Sequence, residues 1–144
     1  MSYIKTRYKK VMVIDDSYTD RYIASYIIRK NNFASEIISQ ESAGNALKYL
    51  KELSVTPKDL PQLIFLDIHM PGIDGFGFLD EYDKLPDSVK SNCNIIVLSA
   101  WFSPDEKERA KKSIYVSRFL SKPLEKEHLE ELSPSELDKN ASTQ

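Results

Sequence analysis

One cysteine, Cys93, stands among the 144 residues. No internal disulfide can form, so a reducing compartment is expected. Histidine is almost as scarce: His69 and His128 lie far apart and make no zinc site. No apolar run is long enough to span a bilayer, and the polar start Met1-Ser2-Tyr3-Ile4-Lys5 lacks the apolar centre of a signal peptide. The expectation is a cytoplasmic protein without membrane contact. An excess of charge is missing too. Twenty Lys and Arg against 22 Asp and Glu leave a net charge of −2, which exerts no global pull on nucleic acid. What remains is 41% hydrophobic and 29% charged, the balance of a globular chain with one core. No internal repeat, second domain or long linker is visible.

The apolar residues fall into five short runs, each followed by a helix-like stretch. Val11–Ile14, Phe33–Gln40, Leu63–Leu66, Asn94–Ser99 and Val116–Ser121 read as strands. The first, third and fourth lack polar alternation, as expected for strands buried on both faces of a parallel sheet. The residues before Val11, including Lys5, Arg7, Lys9 and Lys10, read as a solvated basic lead-in. Helices are expected over Tyr18–Asn31, Ser42–Leu53, from Asp74 to about Leu85, from Ser103 to about Ser113, and over Leu124–Leu132. Ser17 is a plausible N-cap with Asp20 as a partial capping box, and Ile23 and Ile27 share one face. Tyr18, Tyr22 and Tyr26 form a second stripe, read mainly as packing with partial exposure. Ser103-Pro104-Asp105-Glu106 is a strong helix start. Residues 133–144 read as a polar tail that frays. The pattern is α/β: a doubly wound five-stranded parallel sheet with right-handed crossovers and helices on both faces.

Four strands end in a polar group: Asp15-Asp16, Asp67, Ser99 and Lys122. Parallel strands bring these ends to one edge, where open α/β sheets bind ligands. Taken singly, Asp15-Asp16 reads equally well as a capping pair, Lys122-Pro123 as a turn, and Phe119 as core. Jointly they are hard to assemble by accident. Three clustered carboxylates repel unless a cation neutralises them, and a hard divalent ion such as Mg²⁺ (or Mn²⁺) suits carboxylates, carbonyls and water. A lysine and a hydroxyl beside them suit phosphoryl oxygens. An Asp at the centre can be the nucleophile.

The sequence resembles the receiver domain of two-component response regulators, and a stand-alone, chemotaxis-regulator-like one. The matching pieces are Val13-Ile14-Asp15-Asp16-Ser17, Phe65-Leu66-Asp67-Ile68-His69-Met70-Pro71-Gly72-Ile73-Asp74-Gly75, Val97-Leu98-Ser99-Ala100 and Phe119-Leu120-Ser121-Lys122-Pro123. The resemblance covers roughly residues 8–132, with residues 1–7 as an N-terminal extension. It implies a flavodoxin-like sheet of strand order 2-1-3-4-5. It implies that Asp67 accepts a phosphoryl group from a phosphohistidine on a sensor histidine kinase or histidine phosphotransfer protein. Asp15, Asp16, Asp67 and the backbone carbonyl of His69 would hold the metal. Lys122, expected to precede a cis Pro123, would pair with phosphoryl oxygens. Ser99 and Phe119 would form the switch.

The chain departs from the family's pattern in places. Ser99 replaces the threonine often found there, and Phe119 lacks a tyrosine hydroxyl. His69 and Trp101 occupy variable positions that affect phosphoryl lifetime. Nothing after Leu132 is long enough for a DNA-binding domain, so output is expected through a protein partner or onward phosphorelay. The expected chemistry is self-phosphorylation and dephosphorylation, not turnover. A Mg²⁺-dependent phosphatase would need a general acid two residues after its nucleophile, where His69 stands, and a cap domain. An adaptor without phosphorylation would have no need of the full polar set.

Overall fold

A computed structural model describes residues 5–141. Parts of the expected N-terminal extension (1–4) and C-terminal tail (142–144) lie outside the described residues. The strands are β1 (Tyr8–Ile14), β2 (Ala34–Gln40), β3 (Leu63–Leu66), β4 (Asn94–Ser99) and β5 (Val116–Ser121). They form one parallel sheet of order β2-β1-β3-β4-β5. The helices are α1 (Tyr18–Lys30), α2 (Ala43–Glu52), α3 (Gly75–Tyr82), α4 (Asp87–Lys90), α5 (Pro104–Lys112), α6 (Lys126–Glu130) and α7 (Pro134–Ala141).

Strand side chains alternate between faces, and the core divides accordingly. Met12, Ile14, Ile64, Leu66, Ile95 and Val97 meet Ala46 and Leu50 of α2, Phe78 and Tyr82 of α3, and Ala110 of α5. Val11, Val13, Leu63, Phe65, Ile96 and Leu98 meet Ala24 and Ile28 of α1 and Leu129 and Leu132 near the C-terminal end. Two-sided burial accounts for the unbroken apolar runs: all four residues of β3 are buried.

Several sequence expectations change. The basic lead-in is not all solvated: β1 begins at Tyr8, and Lys10 is buried with its ammonium donating to the Asp59 carbonyl and the Tyr49 hydroxyl. These two oxygen acceptors stand in for part of the water its ammonium loses. In α1, Ala24 and Ile28 turn inward while Ile23 is exposed. The tyrosine stripe Tyr18, Tyr22 and Tyr26 faces outward. Beyond Leu132 the chain forms α7, with Leu137 buried in the second core. One apolar residue in a polar stretch was too weak a periodic signal to see. Short α4 follows Pro86, with Val89 as its buried anchor.

The strand order reverses between β1 and β3. From β1 the chain crosses to β2 on one side, and from β3 it builds outward on the other. The β1 and β3 ends therefore flank a crevice. Register puts them level: Ile14 pairs with Leu66, and the Asp67 N–H donates to the Ile14 carbonyl at 3.0 Å.

Candidate functional site

The first carboxylates come from the turn between β1 and α1. Ser17 caps α1, its side chain accepting the Asp20 N–H. The expected box is not completed by Asp20: the Ser17 N–H donates to Asp15 Oδ1 at 3.0 Å, and the Asp20 carboxylate turns toward Lys122. Asp15 is buried and Asp16 is exposed. Asp67 follows β3 and is also buried. The loop after it is held tightly by Gly75, where a Cβ would lie 2.7 Å from the Ile68 Cα and 2.8 Å from the Asp67 carbonyl oxygen. Only glycine lets α3 start this close to the Asp67 backbone.

Lys122 completes the cluster from the end of β5. Its N–H donates to the Ser99 carbonyl at 2.8 Å, and the bond to Pro123 is cis. Its ammonium lies 2.7 Å from Asp15 Oδ2, 2.8 Å from Asp20 Oδ2 and 3.5 Å from Asp67 Oδ1. Burial alone would favour the neutral amine, but the hydrogen bonds to Asp15 and Asp20 and the charges of Asp67 and Asp15 outweigh it. The Lys122 pKa is held above its ordinary value. One cation is thus shared among three carboxylates, and Asp67 receives its most distant contact. Burial, and then the charge of Asp15, push the Asp67 carboxyl up to about 6, against the opposing pull of Lys122 and a backbone hydrogen bond from His69.

Asp15, Asp16 and Asp67 each offer an oxygen within 4.8 Å of the others. Hard, anionic oxygen donors at this spacing fit Mg²⁺ binding, and a carboxylate held among them fits a phosphorylation site. The expected set of Asp15, Asp16, Asp67 and Lys122 therefore meets at one point.

Ser99 and His69 are brought together beside it. Ser99 is fully buried, its Oγ 3.1 Å from His69 Nδ1 and 3.2 Å from the Trp101 carbonyl oxygen. The His69 ring stacks on Trp101 at 4.7 Å, and its Nε2 lies 2.8 Å from Glu106 Oε2. The ring is therefore not merely exposed, as the sequence suggested. The Ser103 N–H bond holds the Glu106 carboxyl below its ordinary range; slight desolvation opposes this, and His69 reinforces it. Phe119 is half-buried, edge-on to Phe102 at 5.7 Å, with the Lys107 and Lys111 ammonium groups 6.0 and 5.7 Å from its ring centre.

Three residues escaped the sequence reading. Asp20 looked like a capping residue, yet four residues past Asp16 it stands in the first turn of α1, from where its carboxylate reaches Lys122. Arg21 donates to the Asp15 carbonyl at 2.8 Å. Glu106 read as one of two acids at the start of the helix; in the structure it closes a capping box with Ser103 through one oxygen and reaches His69 with the other. Only the Asp20 spacing was available as a signal.

The family model described as the response regulator receiver domain matches residues 11–133. Sporulation initiation phosphotransferase F of Bacillus subtilis is 24% identical over 117 residues, covering 81% of this chain and 84% of that protein. Among solved structures, a two-component response regulator from Cytophaga hutchinsonii superposes with a TM-score of 0.83 at 30% identity, over 94% of this chain and 99% of that one. The receiver domain of the histidine kinase CKI1 from Arabidopsis thaliana, complexed with Mg²⁺ and BeF3⁻, superposes with a TM-score of 0.73 at 26% identity, over 93% of this chain and 90% of that one. Together with a five-stranded parallel sheet of order 2-1-3-4-5 and an acidic cluster at its switch point, these findings place the chain in the response regulator receiver domain family of two-component phosphorelay systems.

Proposed function

We propose that Asp67 is the phosphoacceptor and that a phosphohistidine on a sensor histidine kinase or phosphotransfer protein is the donor. The observation that carries this reading is the meeting of Asp67 with Asp15, Asp16 and Lys122 at the ends of three strands. An Asp67 carboxylate oxygen attacks phosphorus. The P–N bond breaks, its electron pair returns to the imidazole, and an acyl phosphate remains on Asp67. Receiver domains interact with such donors and are not generally turnover enzymes.

Asp15, Asp16, Asp67 and the His69 carbonyl would hold Mg²⁺ (or Mn²⁺), which when bound offsets the negative charge brought together at the cluster. Lys122 keeps its proton and presents a fixed positive charge to the phosphoryl oxygens. Ser99 turns its hydroxyl to a phosphoryl oxygen, and Phe119 rotates as the loop moves. That rotation changes the surface around α5, β5 and α6, to be read by a protein partner or by the next histidine of a relay. No nucleic acid need be contacted directly, and a cytoplasmic setting belongs to the same reading. Among the described residues no helix is long and apolar enough to cross a membrane.

The test is phosphotransfer from a panel of histidine kinases in the presence of Mg²⁺. Label is expected on the wild type and absent from Asp67→Asn. Label retained by Asp67→Asn would move the acceptor elsewhere.

A further inference from the structure

Glu106 occupies the third position of α5, and its two oxygens have separate partners. Oε1 accepts the Ser103 N–H at 2.9 Å, closing the capping box, while Oε2 meets His69 Nε2 at 2.8 Å. The other ring nitrogen, Nδ1, meets Ser99 Oγ at 3.1 Å. Trp101 stacks on the ring face with an interplanar angle of 24°. His69 follows β3, whereas Ser99, Trp101 and Glu106 all belong to the end of β4, the loop after it, and α5. The ring therefore bridges two segments that the backbone leaves separate.

Ser99 has one hydroxyl hydrogen, and two acceptor positions for it lie within this bridge. If it goes to the Trp101 carbonyl, Ser99 accepts from Nδ1–H. If it goes to Nδ1, the ring proton sits on Nε2 and points at Glu106. In both arrangements the hydrogen is held by the bridge. A phosphoryl group on Asp67 can compete for it, because charged oxygens accept more strongly than a neutral nitrogen or carbonyl.

We propose that Glu106 is a positioning residue: it fixes His69 as a latch on Ser99, favouring the unphosphorylated arrangement and tying the start of α5 to the phosphorylation site. The proposal rests on Asp67 being the phosphoacceptor. Exchange of the Ser99 bond removes the Nδ1 partner of His69, weakening its hold on Glu106. The start of α5 is then free to move. What opposes that motion is limited: Ala110 is the one buried residue of α5, and the Arg109 guanidinium lies 4.3 Å from the Phe76 ring centre. The helix is thus a weakly anchored element biased by a single bond exchange, and it also carries Lys107 and Lys111 over Phe119.

The test is a beryllofluoride titration of the full chain at saturating Mg²⁺. It is read by fluorescence of Trp101, the sole tryptophan, which lies against the latch. Glu106→Ala is expected to lower the half-saturating concentration by about fivefold, the low end of ordinary coupling between sites. Glu106→Gln keeps the capping acceptor but meets His69 with a neutral amide, and is expected to shift the curve less, in the same direction. In a Ser99→Ala background Glu106→Ala should produce no further shift. Ser103→Ala, which loosens the same cap but leaves the carboxylate on His69, should leave the midpoint in place. An unchanged midpoint in Glu106→Ala, an equal shift without Ser99, or a shift reproduced by Ser103→Ala each overturns the latch alone. No response in the wild type overturns the phosphoacceptor reading and the latch with it.

Discussion

Replacing Asp67 by asparagine should stabilise the protein when Mg²⁺ is removed by a chelator. The folded state raises the Asp67 carboxyl from 3.8 to about 6, chiefly through burial and then through Asp15. A carboxyl raised by folding contributes full stability below its unfolded value of 3.8, and that contribution is lost as pH rises through about 6. Two pKa units at 1.36 kcal/mol each set a ceiling of about 3 kcal/mol lost by pH 7.5. Asparagine is neutral and nearly isosteric, so it avoids that cost. It also gives up the 3.5 Å contact with Lys122, although Lys122 keeps Asp15 and Asp20. A net gain of about 2 kcal/mol is expected. With a urea slope of about 2 kcal/mol/M, the unfolding midpoint should rise by about 1 M at pH 7.5. At pH 4 the two proteins should converge, because Asp67 is then largely protonated in the folded wild type. Excess Mg²⁺ should narrow or reverse the gap, since it binds the folded wild type and stabilises it by mass action. Equal midpoints at pH 7.5 in chelator, or a gap of the same size at pH 4 and 7.5, would refute the reasoning.

Gly75→Ala places a methyl carbon 2.7 Å from the Ile68 backbone and should cost about 1–3 kcal/mol in thermal or urea unfolding, together with a loss of Mg²⁺ affinity measured by titration. Tyr8→Phe removes the 2.6 Å bond from the tyrosine hydroxyl to the Leu132 carbonyl, leaving a buried acceptor unpaired. About 1–2 kcal/mol of stability should be lost by denaturant unfolding, with phosphotransfer to Asp67 intact. Trp101 is 60% exposed and covers the His69 ring, so Trp101→Ala should admit water and shorten the lifetime of the aspartyl phosphate. Decay of radiolabelled protein at the wild-type rate would show that the indole screens nothing.

The parallel sheet and the location of the site were within reach of the residues because both depend on local rules, whereas the strand order came from the family resemblance. Leu63 to Leu66 read as a doubly buried strand because no polar residue interrupts them, and the structure buries all four. Asp15, Asp16, Asp67 and Lys122 could be assigned to one edge because parallel strands point one way, whatever the details of packing. The Ser103 cap was legible for the same reason: its partners lie within four residues.

Other features depend on approach angles between elements, which no short window carries. The inward turn of Ala24 and Ile28, with Ile23 left outside, follows from how α1 lies against β1 and β2. The burial of Lys10 needed Asp59 and Tyr49, distant in sequence, to supply oxygens. Helix α7 holds through Leu137 docking on a core formed elsewhere, not through periodicity of its own. By itself the sequence determined the sheet and the chemical character of its edge, because alternation and strand direction are properties of the chain. Tertiary structure decided how charge and protons are shared there. Lys122 reaching Asp20 as well as Asp15, and His69 spanning Ser99 and Glu106, are contacts between side chains whose meeting only the packed fold arranges.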